Sequence, residues 1–271
     1  MRGHSVQRYA KPAAAHRPRG GSRWRRIVDV TAAAVAFVLL WKLIVVVGNY
    51  PVFILPAPEV VAERFVSAWL DGTMEPNAAQ TLLEVVLGFA VGASAALVAG
   101  YALARSRLVE RVLSPYLVAA QATPILALAP LIALWFGSGL LSKVVICALI
   151  VFFPVAVATM VGLRSVDRRL LEMAHSFRAT RGQLLWTLEL PAAMPGIMGG
   201  MRVGVTLAVV GAIIGEWAGG EQGLGVLINL ARGSLFDIPL LFATLLTVAL
   251  LGVVLYLAVV LVERRIVGTR G

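Results

Sequence analysis

"RLLEMAHSFRATRGQLLWTLELP", residues 169–191, is too polar to cross a membrane and too apolar for a solvated loop. Leu170, Leu171, Ala174 and Phe177 fall at the spacing of one helical face, the chain turns across Ala179–Gly182, and Leu184, Leu185 and Leu188 resume the spacing. Pro191 is expected to stop the second run, because proline removes a backbone donor and clashes with the preceding turn. The stretch therefore predicts two short amphipathic helices. Neither stripe is long enough to span a bilayer, so each lies on lipid headgroups or in another protein's groove, and the pattern alone does not choose.

The surroundings of this stretch are membrane protein. The chain has 271 residues, of which 59% are hydrophobic and 14% charged, against about 45–50% and about 25% in soluble domains. Six apolar runs are long enough to span: Ile27–Gly48, Ala79–Ala104, Val112–Phe136, Leu140–Leu163, Gly196–Trp217 and Ile238–Val262. Pro115, Pro124 and Pro130 interrupt the third. In lipid such a break survives only where protein or a water-lined cavity satisfies the freed carbonyls, so the broken helix points inward. The single cysteine, Cys147, lies in an apolar run and offers neither a disulfide nor a thiolate metal site.

Nearly all the basic residues fall on one side of this topology. With the N-terminus inside, the inner segments hold the arginines of the first 26 residues, then Arg105, Arg107 and Arg111, then Arg164, Arg168, Arg169, Arg178, Arg181 and Arg202, then Arg264, Arg265 and Arg270. Only Arg64 and Arg232 remain outside, with Lys42 and Lys143 near span ends where their stems can snorkel. The net charge of +10 thus marks topology, and nucleic acid is not an expected partner. Residues 1–26 read as a basic disordered tail attracted to anionic lipid, and 49–77 as an external loop carrying one helix around Val60–Leu70.

The stretch at 169–191 resembles the cytoplasmic coupling loop of the membrane subunits of ATP-binding-cassette importers, whose motif runs E-A-A, then a glycine after three intervening residues, and ends in L-P. Glu172, Met173 and Ala174 stand for E-A-A, and Leu190 and Pro191 for L-P. Arg178 holds the glycine position, with Phe177 before it, and Gly182 is available to take over the turn. "ILPAPEVV", "SPYLVAAQATPILALAPLIALWFGSG", "FFPVAVATMVGL" and "GEWAGGEQGLGVLI" extend the likeness over nearly all of residues 50–265, toward the branch serving nitrate, sulfonates, taurine, thiamine pyrimidine precursors and riboflavin. The resemblance implies an all-α type I importer permease with six transmembrane helices over 27–265, a coupling loop at 164–195 and a short second tail at 266–271. It also implies a permease homodimer in the cell membrane, both termini cytoplasmic, with separate ATPase subunits and an extracytoplasmic solute-binding protein as partners. In agreement, the sequence has no Gly-Lys pair and so no phosphate-binding loop of its own, and no cofactor is expected.

Polar groups at membrane depth are few. Gln121 and Thr123, beside Pro124, either line the translocation path or bond the carbonyls that Pro124 leaves free. Glu216 and Trp217 either help receive substrate at the outer mouth or mark the interface. Glu84 either faces an intramembrane partner or sits near the interface, the second being expected. Glycines at 196, 200, 204, 211, 215 and 219 form a row that either packs helices within the subunit or borders the path or dimer seam. His175 has no second ligand nearby to hold a metal. An ion-coupled carrier would need paired ionisable or unwound sites in two related halves, and an intramembrane enzyme an H-E-x-x-H or G-x-S-x-G constellation; the sequence has neither. The wording of 215–246 sits nearest the vitamin and pyrimidine-precursor members, with sulfonate or nitrate as the alternative.

Overall fold

A computed structural model of the protein describes residues 23–268, all of whose regular elements are helices or helical turns. The expected tails therefore lie largely outside the described residues. Two units divide at Asn49. The first contributes α1 (Arg23–Gly48), whose segment Val28–Gly48 is long and apolar enough to span. Its large apolar side chains, Phe37 and Val47 among them, are exposed around the helix, the pattern of a surface meant for lipid.

The second unit is a bundle. α2 (Pro58–Leu70) opens with proline in its first turn, where the missing N–H costs nothing, and α3 (Met74–Arg105) follows after Gly72. Then come α4 (Arg107–Ala122), α5 (Ile125–Phe136) and α6 (Leu140–Arg164). α7 (Arg168–Ser176) and α8 (Arg181–Leu184) precede a π turn at Leu185–Glu189, which runs directly into α9 (Leu190–Gly219). α10 (Leu224–Arg232) and α11 (Ile238–Val267) complete the chain.

α6 is the central post: α3 packs along one side of it and α9 along another. Small residues permit this. A Cβ added at Gly92 or Gly100 of α3 would lie 2.6 Å from the carbonyl oxygen of Ala148 or Ala156 on α6. On α9, Gly204, Gly211 and Gly215 press in turn on Val155, Cys147 and Lys143 of α6. The glycine row is therefore a packing seam inside the subunit, where close backbone approach supplies the dispersion that lipid gives no other reason to gain. Val85, Ala96, Cys147, Val151, Val155, Ala208 and Ala212 are the buried side chains between these three helices.

Among the described residues five helical stretches are long and apolar enough to cross a membrane. The third expected span is delivered as two helices, because Pro124 takes an extended conformation and caps α5 instead of continuing α4. Two expectations are corrected outright. Glu84 is fully buried in α3 instead of lying at an interface, and Lys143 is 4% exposed, its ammonium donating to the Ser138 carbonyl instead of reaching water.

Candidate functional site

The stretch that opened the reading forms a lever at one end of the bundle. α7 presents Met173, 54% exposed, with Glu172 exposed beside it, and Phe177 just past its end is 80% exposed, while Ala174 is half-buried. The turn falls at Arg178 itself, which adopts φ 55°, and the Ala179 N–H reaches back to the Ala174 carbonyl at 3.1 Å. Gly182 does not take over the turn, as expected above, but sits inside α8. The reason is local: Thr180 forms a capping box with Gln183, its backbone N–H donating to Gln183 Oε1 at 2.9 Å, and this starts the next helix two residues before the glycine.

Pro191 does not end that helix. The π turn at Leu185–Glu189 widens the backbone just ahead of the proline, relieving the clash a regular turn would create, and the helix continues to Gly219. Leu190 and Pro191 are thus the joint between lever and bundle. Glu189, at this joint, is buried and receives a bidentate pair from Arg105 of α3, Nη1 at 2.9 Å and Nη2 at 2.7 Å. The Arg105 guanidinium also lies 5.3 Å over the Tyr101 ring. Nearby, Arg164 donates to the Leu103 carbonyl at 2.7 Å, capping the end of α3, and pairs with Glu110 of α4 at 2.7 Å. The hydrogen bond from Arg164 holds the Glu110 carboxyl below the usual carboxylate range. A crevice of ≈ 370 Å³ lined by Arg105, Arg107, Arg164, Leu171 and Glu189 separates lever from bundle.

Where the third span breaks, a groove of ≈ 880 Å³ opens between α5, α6 and α9. Thr123 and Pro124 line it, with Phe153, Pro154, Gly200 and Val203 opposite, and no charged side chain among the described residues does. The Thr123 hydroxyl also donates to the Ala119 carbonyl at 3.1 Å. The side chain of Gln121 lies outside the described part. Glu216 does not line this groove. It is 2% exposed and turned inward, accepting from the Thr81 hydroxyl at 2.6 Å and from the Gly225 N–H, while Trp217 Nε1 donates to the Gly225 carbonyl at 3.0 Å. These bonds gather α3, α9 and α10 at the end opposite the lever. There Arg64 of α2 also reaches Asp237, the cap of α11, at 2.8 Å.

The described residues thus carry a two-helix lever at one end, an apolar groove at a helix break and a buried polar knot at the other end. Residues 88–268 match the family of binding-protein-dependent transport system inner membrane components. The chain belongs to this family. Among its relatives, the riboflavin transport system permease protein RibX of Chloroflexus aurantiacus is 42% identical over 84% of this permease and 85% of that protein. The formylaminopyrimidine transport permease protein ThiX of Halalkalibacterium halodurans is 31% identical over 86% and 92%, and the taurine transport system permease protein TauC of Escherichia coli 28% identical over 92% and 93%. In fold, the permease resembles a chain of the MetNI methionine ABC transporter in an inward-facing conformation, with a TM-score of 0.63 at 19% identity, covering 71% of this chain and 95% of that one. It is an inner-membrane, multi-pass permease of an ABC importer.

Sequence reasoning missed three parts of this site. The Thr180–Gln183 capping box was legible as a T-x-x-Q signature. The Arg105–Glu189 pair joins residues 84 positions apart, and no local pattern announces it. The knot around Glu84 and Glu216 had one signal, two acids within apolar helices.

Proposed function

We propose that this permease passes an uncharged heterocyclic vitamin, riboflavin or a thiamine pyrimidine precursor, into the cytoplasm. The observation that carries the substrate class is the groove at the helix break, whose described lining is apolar, with an aromatic ring and one hydroxyl. A flat, neutral ring system gains from such walls, whereas nitrate or a sulfonate would give up its hydration without a cation to replace it. The relatives named for riboflavin and formylaminopyrimidine support the same reading.

The lever end faces the cytoplasm in this account, as the arginine asymmetry favours. A separate ATPase subunit receives Met173 and Phe177 in a groove, beside Glu172. Nucleotide-driven closure of two such ATPases moves two levers in a permease homodimer, and the joint at Leu190–Pro191 with the Arg105–Glu189 pair carries the motion into α3 and α9. The solute-binding protein delivers cargo to the opposite mouth, near α2 and α10, and two facing grooves make one path.

The test is uptake by the complete importer reconstituted in vesicles with its solute-binding protein, using labelled riboflavin and the pyrimidine precursor, with taurine and nitrate as competitors. ATP-dependent accumulation of a vitamin, unaffected by either competitor, is the expected result. Accumulation of taurine or nitrate instead refutes the substrate class. Uptake that persists without ATP but follows an ion gradient refutes the mechanism.

A further inference from the structure

Among the groups that the coupling and groove readings leave unused, the polar knot is the most unusual. Two acids and one lysine are buried where α3, α6 and α9 pack together, toward the end opposite the lever. Glu84 and Glu216 are 0% and 2% exposed, and they face one another across α3 and α9: Thr81, one turn before Glu84, donates to the Glu216 carboxyl at 2.6 Å. Lys143, from α6, is the cation beside them, and its ammonium is already tied to the Ser138 carbonyl. The other titratable group facing the knot is the buried Cys147 thiol, also from α6; α10 contributes only backbone, through Leu224 and Gly225.

The donors are distributed unequally over the two carboxyls. On Glu216, Oε1 lies 2.6 Å from the Thr81 hydroxyl, nearer than the Asn77 carbonyl at 3.0 Å that competes for the same proton, and Oε2 accepts from the Gly225 N–H. On Glu84, Oε1 accepts from Gln80 Nε2 at 2.9 Å, and Oε2 is buried with no partner. Two ionised carboxylates facing one another would repel in a medium that screens poorly, and an empty buried oxygen adds a desolvation cost. One proton on Glu84 Oε2 removes both penalties: the oxygen becomes a donor to the Glu216 carboxylate, a charge-assisted bond, and the knot of acid, carboxylate and Lys143 ammonium is neutral.

We propose that Glu84 and Glu216 bind a single proton, Glu84 as the carboxylic acid and Glu216 as the carboxylate, and that this pair positions the Gly220–Arg232 segment at the outer mouth. Glu216 reaches that segment through Gly225, and Thr81 reaches it through the Leu224 N–H at 2.9 Å. Asn77 adds the Gly223 N–H at 2.9 Å. Gly223 has φ 137°, and a Cβ there would collide with the Glu216 carboxyl, so the loop fits only over this side chain. That this mouth is the outer one rests on the proposed orientation, whereas the shared proton is independent of it.

The two halves of the proposal are read separately in the complete importer. Infrared spectra with carbon-13 glutamate are expected to show, at neutral pH, the carbonyl band of a protonated carboxyl that shifts in heavy water and is lost in Glu84→Gln but not in Glu75→Gln. Glu84→Gln keeps a donor in place of the acid O–H and should hold uptake within about twofold, whereas Glu216→Gln turns an acceptor against a donor and should lower it by about tenfold to a hundredfold. A wild-type complex with no glutamate acid band overturns the proton site, a result that needs no variant to fold. Equal loss of uptake in the two variants, with the complex intact by size, overturns the positioning role. Failure of vitamin uptake in the wild type would refute the substrate reading and leave the band unaffected.

Discussion

Arg105→Ala cuts the ion pair that ties the lever joint to α3, and its size can be worked from burial. The Glu189 side chain is 7% exposed and that of Arg105 37%. Removing one partner of a fully buried pair costs about 3–5 kcal/mol, since the remaining charge is stranded. Arg105 is more than a third exposed, so water already screens it, and about 2–3 kcal/mol is the working figure. Charged against the docked position of the joint, that is a shift of about 30- to 150-fold in its equilibrium. The exposed face of α7 is not touched, so the ATPase should still bind. In vesicles containing the complete importer, ATP hydrolysis should continue while uptake falls, and the ATP consumed per solute imported should rise by at least about tenfold. Arg105→Glu with Glu189→Arg should recover part of the uptake that either change alone removes. Hydrolysis and uptake falling by one common factor would refute the idea that this pair transmits motion, because that is the signature of lost assembly.

Other consequences are open to direct measurement. Phe177→Asp should strip the ATPase from the purified complex, because a charge replaces an anchor that is 80% exposed here; retention of the ATPase at wild-type stoichiometry would exclude the Phe177 turn after α7 as a docking anchor. Arg178→Gly removes a side chain from φ 55° and should stabilise by up to about 1 kcal/mol, seen as a small rise in Tm with coupling retained. Gly100→Val drives side-chain atoms into the Ala156 carbonyl and should cost about 1–3 kcal/mol, so an unchanged Tm would contradict the tight α3–α6 seam. Because Arg164 holds the Glu110 carboxyl low, the pair's stabilisation is complete above the ordinary carboxylate range and is lost as pH falls through the lowered value; Glu110→Gln should flatten the acid limb of Tm against pH.

The long helices and the lever were readable because each rests on local patterning: an apolar run of spanning length, or a stripe of Leu170, Leu171, Ala174 and Phe177. What escaped was set by tertiary contact. Pro191 reads as a stop signal, and only the widened turn before it, stabilised where Glu189 meets Arg105, lets the helix pass. Arg178 in a left-handed turn contradicts residue preference, and the capping box that starts the next helix at Thr180 holds it there. Glu84 read as an interfacial acid because sequence shows an acid in an apolar run but not the buried groups of other helices, Glu216 and Lys143, that the fold gathers around it.

The helical run from Arg181 to Gly219, 39 residues and about 58 Å long, holds the joint at Leu190–Pro191 within it and carries Glu189 toward one end and Glu216 toward the other. In the proposed mechanism, whatever clamps the Glu216 end alters how tightly the ATPase holds the other, by the same free energy in both directions. Delivery of cargo outside and hydrolysis inside would then be bookkept on a single helix, without a relay of intermediate contacts.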